Sequence, residues 1–371
     1  MPYFDHSATT PVHPDVLELM AITQRDVYGN PSSVHAQGRK AKSIIEKARS
    51  QVAAAIGAKP DQIIFTSGGS ESNNQVLRSV LNMNKKHIIA TAIEHPAILN
   101  VLKSLEQFGL SHNCISVDPN GTMNFHEFEN SIRDTTGLIS VMLANNEVGT
   151  IQPVQEIVKT AKPKSIPVHT DAVQCLGKIP IDVDELGIDY LSLSAHKFYG
   201  PKGSGILYIR DKKFISALII GGGQESGLRA GTENIALIAG IGLAAEIATA
   251  DLSGRARNLT DLETQFKTGL KEFFPNAVFN GNNVHKLPGL INVSFPGFRS
   301  DILVAKLDRA GMAVSSGSAC ASGIVEPSDI LKAMGVEDEL NTSTLRISFG
   351  STNTADETAD LLSAINSIIT S

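Results

Sequence analysis

Cysteine is scarce: three residues in 371, with no C-x-x-C pair among them. That is too few for a disulfide framework or a structural zinc site, and it fits a reducing compartment. There is no excess of positive charge either. Thirty-two Lys and Arg against 38 Asp and Glu leave a net charge of −6, and the basic residues cluster little, which argues against nucleic acid as a direct ligand. No apolar run reaches membrane length and no N-terminal signal segment is visible, so the expectation is a soluble cytoplasmic protein away from the membrane. Internal repeats and low-complexity tracts are absent. Neither G-x-G-x-x-G nor G-x-x-x-x-G-K-[ST] follows the first strand-like run, which weighs against dinucleotide and P-loop sites.

What is present is an alternation of short apolar runs with helical stretches. Ile63–Phe65, His87–Ala90, Leu138–Leu143, Ile166–His169, Tyr190–Leu193 and Gly205–Tyr208 read as strands. The pattern predicts an α/β protein with parallel strands and crossover helices in its larger part. A chain of this length is expected to form two domains. The charged segment from Asp251 to Asp261 reads as the start of a long helix into the second.

The ends of these runs carry the chemistry. Tyr190–Leu193 runs into Ser194, Ala195, His196 and Lys197, then a Gly/Pro turn, which places an amine at the sheet edge where α/β enzymes bind ligands. Lys197 is suited to a Schiff base with pyridoxal 5′-phosphate, with Ser194 and His196 as phosphate donors. At another strand end, Asp171 and Gln174 lie three residues apart. Asp171 suits the pyridine nitrogen, because only the protonated ring withdraws electrons strongly, and Gln174 suits the phenolate oxygen. After Ile63–Phe65, the turn with Gly69 and Ser70 leads into a helical apolar face, an anion site built from free N–H groups. His95, after the next strand, can stack on a cofactor ring and carry protons near neutral pH. Taken singly, Lys197 reads as a surface lysine, Asp171 as a helix cap and the glycines as a tight corner; together they describe one pocket.

Longer motifs carry a family resemblance. YFDHSATTPV, GNPSSVHAQGRKA, TSGGSESNN, EHPA, NNEVGTIQP, HTDAVQ, SAHKFYGPKG, GGGQESGLRAGTEN, SSGSACASG and LRISFG span nearly the whole chain. The sequence resembles the cysteine desulfurases of the pyridoxal-phosphate fold-type I superfamily, in the aminotransferase class V branch. That resemblance implies a large cofactor-binding domain, residues 15–251, with a mainly parallel seven-stranded sheet flanked by helices. It also implies a smaller α/β domain made of residues 1–14 and 252–371, carrying a mobile cysteine loop at about 315–328. The substrate implied is L-cysteine, turned into L-alanine with a persulfide left on Cys320. Lys197, Cys320 and His95 are the expected catalytic residues. Arg346 is the position assigned to the substrate carboxylate, which suits an arginine fork, and Asn146 is expected beside cofactor and substrate. Thr232 matches a threonine that reaches the phosphate of the neighbouring subunit's cofactor, implying a homodimer. The long form of the cysteine segment resembles that of general sulfur donors, which pass sulfur to acceptors such as an iron–sulfur scaffold or carrier protein, or to thiolation pathways.

The three thiols read differently. Cys114, in a strand-like run, is expected to be a packed small hydrophobe, and Cys175 to be structural. Cys320 lies in a Gly/Ser-rich stretch without apolar periodicity, where a thiol can enter the pocket, take a sulfur atom and carry it out. His6, Ser70, Ala321 and Gly323 depart from residues frequent in the family, but none removes a group the chemistry requires. A selenocysteine lyase would share much of this pocket, an aminotransferase would need no Cys320, and a non-catalytic sulfur-relay scaffold would have no use for Lys197 or Asp171.

Overall fold

The computed structural model describes residues 1–316 and 326–370. Seven strands form one sheet: β1 (Ile63–Thr66), β2 (His87–Thr91), β3 (Ser111–Ile115), β4 (Thr136–Ser140), β5 (Val168–Asp171), β6 (Tyr190–Ser194) and β7 (Gly205–Ile209), in the order β1-β7-β6-β5-β4-β2-β3. β7 is antiparallel to both of its neighbours, and every other pairing is parallel. Six of the seven strands are buried at every position, which is why they read as apolar runs rather than alternating ones.

β5 is the polar exception within that buried layer. His169 bridges its neighbours, Nδ1 lying 2.8 Å from Ser140 Oγ on β4 and Nε2 3.0 Å from Ser192 Oγ on β6. Burial holds its pKa down at about 3, so the ring is a neutral cross-strand rung. β3 is an edge strand, and this overturns the expectation for Cys114: it is exposed on that edge. Cys175 is fully buried, as expected. The strand read at Leu138–Leu143 sits two residues earlier. Val141 and Leu143 still donate backbone hydrogen bonds to His169 and Asp171, so the parallel ladder runs on toward the site.

A second sheet, β8 (Val278–Asn280), β9 (Leu290–Ser294), β10 (Ser315–Ser316) and β11 (Thr344–Ser348), is antiparallel throughout in the order β10-β11-β9-β8. Its core is distinct from that of the large sheet and includes Phe266, Phe295, Phe349 and, from the N-terminal segment, Phe4. The helix Leu252–Phe273, capped by Asp251, follows the buried helix Ile235–Ala250 after a 72° bend and carries the chain to this second core. No single helix among the described residues is long and apolar enough to cross a membrane.

Candidate active site

The carboxyl ends of the parallel strands open into a cavity of about 380 Å³. β1, β2, β5 and β6 lead into its wall, because each apolar run stops where the sheet stops. β1 turns through Gly68 into the helix Gly69–Ser79, whose first N–H groups and positive dipole end face the cavity. Gly69 is required at that turn: a Cβ there would stand 2.6 Å from Val173 Cγ2. Ser70 lies beside it on the cavity wall, and Ser194 and His196, from the end of β6, line the same cavity. His196 is held by Thr9 Oγ1 at 3.1 Å, and burial followed by the Lys197 charge lowers its pKa to about 4.

Asp171 closes β5 with both carboxylate oxygens engaged, Oδ2 accepting from Asn73 Nδ2 at 2.7 Å and Oδ1 from the Val173 N–H at 3.0 Å. Gln174 turns its Nε2 to the Ser7 carbonyl at 3.0 Å. His95 caps the helix Pro96–Leu105; its Nδ1 accepts from the Ala97 N–H at 3.0 Å, which leaves Nε2 to carry the proton of the neutral ring. Burial lowers the His95 pKa. Lys197 ends a single 3₁₀ turn after β6 and donates to the carbonyls of Ser7 and, at 2.7 Å, Ala8. Burial first, then the cations Lys178 and Arg346, bring its pKa down to about 7, so its amine is available as a nucleophile and base near neutrality.

Across the cavity, Arg346 reaches in from the middle of β11. Its guanidinium donates to Asp5 Oδ1 at 2.8 Å and to the Asn146 carbonyl at 3.2 Å, and its Nε is buried without a partner. Asn146 Oδ1 is likewise buried and unpartnered. Orphaned polar atoms, the Arg346 donor and the Asn146 acceptor among them, therefore mark this cavity as a place for a polar ligand.

Ten of the residues singled out from the sequence thus meet in one cavity, and one described residue does not. Thr232 is exposed, outside the cavity, in the segment after Leu228 that Arg229 ties to the Gly69 helix through Glu71 at 3.1 Å. Cys320 lies outside the described residues. Other groups at the site were not singled out. Asn73 had a signal, since TSGGSESNN places it one turn past Gly69 on the same helix face. The carbonyls of Ser7 and Ala8 had none, because any residue supplies a carbonyl.

The aminotransferase class-V family model matches residues 2–361. The chain belongs to that family. A cysteine desulfurase IscS of Dictyoglomus turgidum is 44% identical over 99% of this chain and 94% of its own length. Among solved structures, a NifS-like protein superposes with a TM-score of 0.94 at 41% identity, covering 100% of this chain and 99% of that one. The structure titled SspA in complex with cysteine gives a TM-score of 0.82 at 37% identity, covering 94% of this chain and 99% of that one.

The cofactor of this family is pyridoxal 5′-phosphate, and the residues present fit it. The Gly69 turn leaves a cradle that a side chain would fill, hydroxyl and imidazole donors stand beside it, an anion closes β5, and a lysine with a lowered pKa faces all of them.

Proposed function

We propose that this protein is a pyridoxal-phosphate-dependent L-cysteine desulfurase that releases L-alanine and carries the sulfur as a persulfide on Cys320. The observation that carries the reading is the meeting of Lys197, Asp171, His95 and Arg346 in one cavity at the strand ends. The names of the relatives supply the substrate class. The Gly69 turn, Ser70, Ser194 and His196 would hold the phosphate, Asp171 the ring nitrogen, Gln174 the phenolate oxygen and Lys197 the cofactor covalently through Nζ. When bound, the cofactor withdraws electrons from the substrate's α-carbon.

The chain's own residues then have separate tasks. Arg346 turns its fork from Asp5 toward the substrate carboxylate, and the unpartnered Nε joins it. Asn146, through its free Oδ1, meets the substrate beside that carboxylate. Lys197 Nζ takes the α-proton, and His95 Nε2 exchanges a second proton. The Cys320 thiolate attacks the substrate sulfur. The electron pair of the Cβ–S bond stays with carbon, which is protonated to give alanine, and sulfur leaves at the sulfane level on Cys320.

The active unit we propose is a homodimer in which Thr232 of each subunit completes the phosphate site of the other. The exposure of Thr232, outside its own subunit's cavity, supports this. We assign the persulfide to acceptor proteins such as an iron–sulfur scaffold or carrier, and the enzyme to the cytoplasm, whose reducing conditions suit a working thiol. Measuring alanine and sulfide formed from L-cysteine, with and without Cys320, tests the reading.

A further inference from the structure

Lys178 lies one helical turn's length past Gln174, in the turn after β5, and no motif singles it out. Among the described residues its ammonium has one hydrogen-bond acceptor, Gln174 Oε1 at 3.1 Å. With Lys197, His6 and Arg255 it lines a small cavity of about 10 Å³. Both ring nitrogens of His6 are buried there without a partner. An ammonium set back from solvent with a single acceptor costs stability, which points to a role beyond packing.

The hydrogen bonds show what that role is. Gln174 has an amide that can point either way, and Lys178 and the Ser7 carbonyl together set its orientation. An ammonium only donates, so Lys178 pairs only with Oε1, while Nε2 faces the Ser7 carbonyl. The same Ser7 carbonyl accepts from Lys197 Nζ. A continuous chain therefore runs from Lys178 through Gln174 and Ser7 to Lys197.

We infer that Lys178 is a positioning residue of the active site, which fixes Gln174 as a donor toward the cofactor ring and sets a positive charge behind Lys197. The inference rests on the cofactor reading of the previous section. Lys178 is not alone in the field at Lys197: Arg346 on β11 is a second cation, Asp5 and Asp171 oppose them, and His6 and Cys175 next to Lys178 are both neutral near pH 7. Arg255 packs from the helix Leu252–Phe273 against the Gly177 carbonyl. Burial lowers the Lys178 pKa to about 8 and, with the Lys178 and Arg346 cations, the Lys197 pKa to about 7. The sign follows: a neighbouring cation favours the neutral amine, and removing it lets Lys197 stay protonated to higher pH.

The test is a pH titration of the visible cofactor band in the purified holoenzyme, for wild type, Lys178→Met and Lys178→Arg. The expected result is a midpoint raised by about one pH unit in Lys178→Met and near the wild-type value in Lys178→Arg. With L-cysteine, kcat of Lys178→Met should fall at pH 7 and recover toward pH 9 while KM changes little; a purely structural defect would lower kcat at every pH. Should Lys178→Met not fold, Lys178→Gln replaces it with the same expected shift. An unchanged midpoint in a cooperatively folded, charge-removing variant overturns the inference. A wild-type protein that takes up no cofactor overturns the underlying reading and this inference with it.

Discussion

The GGGQE motif has a mechanical role that a double-mutant cycle can measure. Glu225, with a side chain only 3% exposed, accepts from Arg49 twice, at 2.7 and 3.0 Å, and from the Phe65 N–H at 2.8 Å. Arg49 in turn donates to the Ile63 carbonyl at 2.7 Å and stacks over the Phe65 ring. This pair fastens the segment leading to Thr232 onto β1, even though Glu225 and Ser226 both sit at left-handed φ, of 47° and 60°. Each such residue costs about 1 kcal/mol, so the segment needs its anchor. Replacing Arg49 by Ala leaves a carboxylate buried with one backbone donor, and the expected loss is about 3–5 kcal/mol. Glu225→Ala should cost less, since Arg49 keeps the Ile63 carbonyl. The double variant should be far more stable than the two losses added together, with a coupling of about 2–3 kcal/mol. Urea unfolding at fixed protein concentration reads the cycle. Losses that add to within about 0.5 kcal/mol would refute the anchoring argument.

Four further outcomes follow from the site. Gly69→Ala should weaken cofactor binding by about tenfold, measured by spectral titration of cofactor-depleted protein, because Val173 is stiff at χ1 and cannot clear the 2.6 Å approach. In cofactor-depleted protein, the acetylation rate of Lys197, read by peptide mass spectrometry, should rise through a midpoint near pH 7 rather than near 10, since burial and two cations lower its pKa. Glu147 is raised to about 7 by burial while its Oε2 accepts from Ser328 Oγ at 2.6 Å. Between its ordinary value and pH 7 the folded state binds the extra proton, so this group's contribution to stability falls as pH rises through that window. Glu147→Gln should therefore gain on wild type by about 2 kcal/mol between pH 5 and pH 8, and a pH-independent difference in urea unfolding would contradict this. Asn73→Ala should lose about 1.5–3 kcal/mol in the same assay, because it removes a 2.7 Å bond to the buried Asp171 carboxylate.

The strand ends were legible because a doubly buried parallel sheet leaves a simple trace: an apolar run that stops at its polar end. Lys197, Asp171 and His95 stand at three such stops, and Gly69 follows a fourth after one short turn. Local pattern failed where neighbours decide the outcome. Cys114 occupies a strand like the others, yet β3 is an edge, and only the sheet order reveals that. The direction of the Arg346 side chain depends on the sheet: β11 is buried at every position and flanked by β9 and β10, and the guanidinium reaches into the site. Lys178 carried no signal, because its meaning depends on a glutamine amide and on two carbonyls 170 residues earlier in the chain. The cysteine segment stays an inference from sequence, as Cys320 lies outside the described residues.

The most direct test of the central claim gives L-cysteine and a reductant to purified protein and quantifies alanine and sulfide for wild type and Cys320→Ala. Wild type is expected to give equal amounts of both products and the variant neither, with the visible cofactor band retained in each. Alanine and sulfide from Cys320→Ala at the wild-type rate would contradict that claim and leave sulfur departing without a protein carrier.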